Sequence, residues 1–177
     1  PLPEAMVEPP FIVVSGLPGS GKSYFCRRLA ERLPVVILES DALRRQLFPS
    51  PSHSPEESAR LFRACHEIIE DLLAQGIPLA LDATNLSERH REILYHIAEK
   101  QKARLILVRV EAPPAVVKER LQARTAGASR EDNPDADWEV YRRMKSSAQR
   151  IGRRHFAVDT SRDISPVIEK IVREARR

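Results

Sequence analysis

The chain has 177 residues, 42% hydrophobic and 31% charged, which is enough for one domain with a sizeable core and too short for two ordinary ones. That mix excludes wholesale disorder, and no apolar run approaches the ~18 residues that a membrane span needs. The net charge of +4 is unevenly held: residues 1–88 carry 8 basic and 12 acidic side chains, and residues 89–177 carry 21 and 13. A basic second half suits a surface that meets nucleotides, phosphates or nucleic acid, and it equally suits solvated helix faces.

Residues 1–6 are expected to be a tail, since Pro1–Ala5 precede Met6 and no basic-then-apolar leader opens the chain; residues 7–177 then form a single domain. Five short apolar runs follow: Phe11–Ser15, Val35–Leu38, Pro78–Asp82, Arg104–Val110 and Phe156–Asp159. Nearly continuous Val, Ile and Leu is what a strand buried on both faces requires, and such strands belong to a parallel sheet covered by helices. Helical periods lie between them. Ser54-Pro55-Glu56-Glu57 combines a capping hydroxyl, a first-turn proline and acids that suit the positive helix end. That helix is expected to bury Leu61, Cys65, Ile68 and Leu72 and to stop at Gly76. Another starts at Ser87 with Ile93, Leu94, Ile97 and Ala98 inward, a third opens at Pro113-Pro114, and Pro166 marks the first turn of the last. Two segments break the pattern: Pro49–Pro55, six Pro or Ser in seven residues, and the polar stretch Arg124–Asp137, both read as loops. Cys26 and Cys65 fit no metal spacing or disulfide framework and read as packed, reduced thiols of a cytosolic protein. The five histidines (53, 66, 90, 96 and 155) show no ligand spacing and read as surface or packing residues.

The sharpest signal is Gly16-Leu17-Pro18-Gly19-Ser20-Gly21-Lys22-Ser23, a gapless G-x-x-x-x-G-K-S between an apolar strand and a helix. Glycines let backbone N–H groups turn around a polyphosphate without a Cβ collision, and the helix adds its positive end. Lys22 reaches the β- and γ-phosphates and the Ser23 hydroxyl coordinates Mg²⁺. Gly16, Pro18, Gly19, Ser20, Gly21, Lys22, Ser23 and Tyr24 are therefore the expected contacts for ATP. A GTP switch would need an N-K-x-D motif, which the chain lacks, and a motor-type ATPase usually needs a larger domain and a neighbour's arginine.

An acceptor side is expected after the second strand, where Asp41 stands at a strand's carboxyl end with Arg44 one turn on. A carboxylate there can take a proton from an attacking hydroxyl, and the same residue can equally be a helix cap. Asp82 ends the third strand and suits outer-sphere magnesium contact or the fixing of a nearby arginine. Asn85 fits an acceptor contact or, better, a cap for the helix from Ser87. Arg120 and Arg124, four apart, fit a lid that neutralises charge during transfer, or a solvated helix face. Residues 142–154 hold six basic and no acidic side chains, a candidate phosphate-backbone patch without interleaved aromatics.

Taken in order, GLPGSGKS after a strand, SDALR, LDATNL, R-x-x-x-R and the DADWEVY segment resemble the polynucleotide-kinase-like P-loop kinases, the group of phage 5′-polynucleotide kinase and zeta-toxin-like kinases. The likeness runs from about Phe11 to Asp159. It implies an α/β P-loop NTPase, a three-layer sandwich whose five-stranded parallel sheet has helices on both faces, with a helical lid at about 120–137. It also implies an ATP- and Mg²⁺-dependent kinase, with a polynucleotide 5′-hydroxyl of DNA or RNA as leading acceptor. Relatives on this scaffold phosphorylate sugars, antibiotics or nucleotide-sugars, so a small-molecule kinase is the alternative, and a nucleotide-binding regulatory module is a third reading. By the same likeness Asp41 would be the general base and Arg44 the acceptor-phosphate contact. Asp82 would support Arg44, Arg120 and Arg124 would be lid arginines, and Thr160, within Val158–Ser161, would lie near the adenine. No membrane or protein partner is expected.

Overall fold

The computed structural model describes residues 1–126 and 134–177. In chain order it contains β1 (Pro10–Ser15), α1 (Lys22–Ala30), β2 (Val36–Glu39), α2 (Ser40–Leu47), α3 (Pro55–Ala74), β3 (Leu79–Asp82), α4 (Glu88–Lys100), β4 (Arg104–Glu111), α5 (Pro114–Ala126), α6 (Pro134–Ser147), β5 (Phe156–Asp159) and α7 (Ser165–Ala175). The strands form one parallel sheet in the order β2-β3-β1-β4-β5. Central β1 is buried throughout. Its alternate residues divide the core: Ile12 and Val14 pack with Phe25 and Leu29 of α1 and Ile168 and Ile171 of α7. Phe11 and Val13 pack on the other face with Ile69 and Leu73 of α3 and Leu94 and Ile97 of α4. The three-layer α/β sandwich expected from the run of apolar strands is what forms.

The order of strands decides where a ligand can sit. The chain leaves β1 toward β2 on one side and leaves β3 toward β4 on the other, so the carboxyl ends of β1 and β3 lie together where those paths part. Register brings Val14 and Glu39 opposite Asp82, and Gly16 N–H donates to Thr84 O at 3.2 Å across the gap.

Several local expectations shift. On α3 the buried stripe is Leu61, Cys65, Ile69 and Leu73, one residue beyond the Ile68 and Leu72 expected in its second half, because the helix meets the sheet on the i, i+4 row. On α4 Ile93 is exposed, and Arg91 and Tyr95 are buried with Leu94, Ile97 and Ala98. Helix α5 continues through Ala126 and α6 begins at Pro134, so the ends of the expected loop Arg124–Asp137 are helical; residues 127–133, with that part of the expected lid, lie outside the described residues. The two helices share a small core of Val117, Leu121 and Tyr141, backed by Leu17 and Trp138. Met6, read as the end of a tail, donates its N–H to Gly76 O at 2.8 Å.

Arg91 is 1% exposed, and it is spent on the backbone. Its Nη1 donates to Asn85 O at 2.5 Å, its Nη2 to Gln149 O and Arg150 O at 2.8 and 3.0 Å, and its Nε to Glu88 Oε2 at 2.8 Å. These bonds pin the segment after α6 to the loop between β3 and α4. Arg91→Leu leaves three backbone carbonyls without this donor, and a loss of about 3 kcal/mol is expected, read as a lower urea midpoint for unfolding.

Candidate active site

The loop from Gly16 to Gly21 joins β1 to α1, and Lys22 and Ser23 open that helix. Gly19 and Gly21 take positive φ of 78° and 96°, which side-chain-bearing residues avoid. A Cβ on Gly21 would lie 2.8 Å from Thr160 Oγ1, and one on Gly19 would lie 2.9 Å from Val117 of α5. The loop is braced from behind. Thr160, just after β5, donates its hydroxyl to Ser20 O at 2.5 Å. Arg120 of α5 donates to Thr160 Oγ1, Gly19 O and Thr160 O at 2.8, 3.1 and 3.2 Å. Ser20 Oγ is buried without a hydrogen-bond partner.

A cleft of about 470 Å³ opens in front of this loop. It is lined by Lys22, Ser23 and Tyr24 of α1, Asp41 of α2, Asp82 and Arg124, with two cations the sequence reading passed over, Arg27 and Arg45. Both were legible by helical period, Arg27 one turn beyond Ser23 and Arg45 one turn beyond Asp41. Lys22 Nζ donates to Leu17 O at 3.3 Å, and Ser23 Oγ donates to Asp82 Oδ2 at 2.9 Å. Burial pushes the Lys22 ammonium below its ordinary value, and nearby Arg124 pushes the same way against the pull of Asp82 and Asp41. Burial pushes the Asp82 carboxyl up, only partly offset by Lys22 and Ser23. The cleft thus holds cations that lack a full anionic complement. Those features fit a polyphosphate: a loop with two positive-φ glycines, a desolvated lysine and a helix N-terminus. Gly19, Gly21, Tyr24, Arg120, Arg124 and Thr160 line an adjoining open hollow.

Asp41 has a second cavity on its other side, about 330 Å³, between α2, α3 and the loop after β3. Ser40, Asp41, Ala83 and Thr84 line both spaces. Its walls are largely apolar, with Leu61, Phe62, Cys65, Leu81 and Leu94, and it takes in His66 and His90, which sequence spacing had left as surface or packing residues. The Phe62 and His90 rings lie 5.0 Å apart at 53°. Burial, then His90, pushes His66 down, so it is uncharged at neutral pH. Burial also raises the thiols of Cys26 and Cys65 to about 12 and about 11, so neither is a thiolate at neutral pH.

Two expected partnerships are absent. Arg44 is not held by Asp82: its Nη1 donates to Glu57 Oε1 at 2.5 Å and its Nη2 to Ser58 Oγ at 3.2 Å. Asp82 is occupied by Ser23 instead. Asn85 does not cap α4; it stands in the left-handed region at φ 49°, and its Nδ2 donates to Val14 O at 3.1 Å, closing the loop after β3 onto β1. Its side chain still borders the second cavity. Of the two lid arginines, Arg120 braces the phosphate loop and Arg124 lines the cleft. Among the described residues no group of three or more His, Cys, Asp or Glu could hold a metal alone, and no helix is long and apolar enough to cross a membrane.

A parallel sheet with a phosphate loop after its central strand and a carboxylate between two cavities defines a P-loop kinase-like domain. The AAA domain family matches residues 11–151, and the chain belongs to that family. No functionally curated protein matches the sequence. Among solved structures, a gluconokinase from Sinorhizobium meliloti is 25% identical, with a TM-score of 0.63 over 94% of this chain and 89% of its own. The Mycobacterium tuberculosis APS kinase, solved with AMPPNP and APS, is 19% identical, with a TM-score of 0.68 over 96% and 99%. A chain of the Pnkp1/Rnl/Hen1 RNA repair complex is 22% identical, with a TM-score of 0.64 over 79% of this chain and 45% of that one.

The raised Asp82 pKa carries a sign. A group whose folded pKa is raised lends stability below its unfolded value, and that contribution is lost as pH rises through the folded value. At neutral pH the Asp82 carboxylate is therefore a cost to the fold. Asp82→Asn is expected to raise the urea midpoint at pH 7 and to narrow the difference between pH 7 and pH 4.

Proposed function

We propose that this chain is an ATP-dependent kinase that moves the γ-phosphate to a hydroxyl acceptor held in the second cavity, and that within its family it stands with the polynucleotide-kinase-like group. The single observation that supports this most is that Asp41 lines both the phosphate cleft and the apolar cavity. A pure nucleotide binder has no use for a carboxylate between two spaces.

In this reading the Gly16–Ser23 backbone, Lys22 and Arg124 hold the polyphosphate, and Thr160 and Arg120 keep the loop in shape. Ser23 and Asp82 would hold a magnesium ion. A bound magnesium ion supplies neutralisation of the negative charge that shifts during transfer. Asp41 accepts the acceptor's hydroxyl proton as the oxygen–phosphorus bond forms and the bond to the departing ADP breaks. Arg27 and Arg45 add positive charge to the same cleft.

Two acceptors fit. The basic stretch 142–154 supports a polynucleotide 5′-hydroxyl, with its terminal nucleoside in the cavity. The enclosed apolar walls support a small molecule. Incubation with γ-labelled ATP, Mg²⁺ and a panel of hydroxyl acceptors reads transfer directly, and a chain that binds ATP but labels none of them is not a kinase of this kind. Asp41→Ala is expected to lower transfer ~10²–10⁴-fold while thermal stabilisation by ATP and magnesium persists. Lys22→Ala is expected to remove that stabilisation.

A further inference from the structure

Glu57 is the third residue of α3, and it is 7% exposed. Its backbone N–H donates to Ser54 Oγ at 3.2 Å, the helix cap that the sequence signalled. Its carboxylate does something the sequence did not signal. It accepts from Ser52 N–H at 2.6 Å, Ser52 Oγ at 2.9 Å, His53 N–H at 3.3 Å and Arg44 Nη1 at 2.5 Å. The Ser52 N–H first, and then the Arg44 guanidinium and the other donors, outweigh burial and hold the carboxyl at about 2. It is a fixed anion at every physiological pH.

Arg44 has thus already met its counter-charge. With Nη1 on Glu57 and Nη2 on Ser58, it presents to the cavity a neutralised pair rather than a free cation. Among the described residues it is the only arginine or lysine along that wall. Withdrawing it toward an acceptor phosphate would strand a nearly buried carboxylate, and that phosphate would also stand near Asp41 and Glu57, two negative groups. The remaining lining sets the Phe62–His90 ring pair and the aliphatic Leu61, Leu81 and Leu94 beside uncharged polar residues such as Thr84, Asn85 and Ser87, a wall that among the described residues offers a ring face and hydrogen bonds but no free cation.

We propose that Glu57 sets the charge of the acceptor by neutralising Arg44, and that the acceptor is an uncharged alcohol bearing a flat, apolar ring, seated against Phe62 and His90. This rests on the kinase reading above and deepens it. Glu57 is a positioning and selectivity residue, and the proton transfer stays with Asp41.

Matched acceptors test it on the full chain with γ-labelled ATP and Mg²⁺. Nucleosides and their 3′-monophosphates carry the same ring and the same 5′-hydroxyl and differ by one anion; 2-phenylethanol, hexoses and 5′-hydroxyl oligonucleotides complete the panel. The unaltered chain is expected to favour the nucleoside over its 3′-monophosphate by about 10-fold or more in kcat/KM, the worth of one charge-assisted contact denied. In Glu57→Gln that ratio is expected to fall by about 10-fold, through KM for the phosphate-bearing partner. Phe62→Ala is expected to raise KM for the nucleoside about 10-fold with kcat held, and it decides the ring contact even if Glu57→Gln does not fold. A preference of the unaltered chain for the 3′-monophosphate overturns the proposal. So does an unchanged ratio in folded Glu57→Gln, or label on hexoses or oligonucleotides with none on nucleosides or 2-phenylethanol. In those cases the kinase reading stands; label on no acceptor from a chain that binds ATP removes both.

Discussion

The Thr160 hydroxyl sits where the rest of the site has to agree. It donates into the carbonyl of Ser20 and accepts from Arg120, so one side-chain oxygen joins the phosphate loop, the end of β5 and α5. Arg120 extends the tie to Gly19 O. A loop with two glycines at positive φ has little intrinsic preference for one shape. Its shape is imposed from behind, by an oxygen and a guanidinium that never need to touch a phosphate. That is also why a glycine at position 21 is required twice over, for its backbone and for the space that Thr160 occupies.

In front of that brace the chemistry is kept in tension. Lys22 is pushed toward its neutral form and Asp82 toward its protonated form, each by removal from water. Neither shift helps the fold at neutral pH. Both shifts would shrink beside a polyanion and its counterion, the charge pattern that suits a nucleotide-binding cleft. The neighbouring cavity is arranged the other way. Its one guanidinium is already ion-paired with Glu57, burial pushes His66 toward its neutral form, and its walls combine aliphatic, aromatic and uncharged polar residues. A charged side and an uncharged side therefore face each other across Asp41.

What could be read from the sequence followed local rules. The strands were legible because continuous Val, Ile and Leu admit few alternatives, and the phosphate loop because its glycines and lysine stand at fixed spacing between strand and helix. Ser54 as a cap was legible for the same reason. What escaped depends on the chain returning to itself. The Arg44–Asp82 partnership was implied by family likeness alone, and a Pro/Ser loop folds back so that Arg44 meets Glu57, thirteen residues on, instead. Asn85 resembled a cap by composition, yet its left-handed backbone turns its amide toward Val14. Nothing in the helical period singles out Arg91, whose burial depends on carbonyls of Gln149 and Arg150, 58 and 59 residues away, together with that of Asn85.

Those two long-range arginines also bear on the helices above the cleft. Arg120 fastens α5 to the phosphate loop. Beyond α6, Gln149 N–H donates to Leu86 O at 2.8 Å and Gln149 Oε1 accepts from Glu88 N–H at 2.7 Å, while Arg91 holds the carbonyls of Gln149 and Arg150. The helical pair therefore has one foot on the phosphate loop and one foot on the loop after β3 that walls the second cavity, and between them a small core of its own in Val117, Leu121 and Tyr141, so both cavities flanking Asp41 share one support.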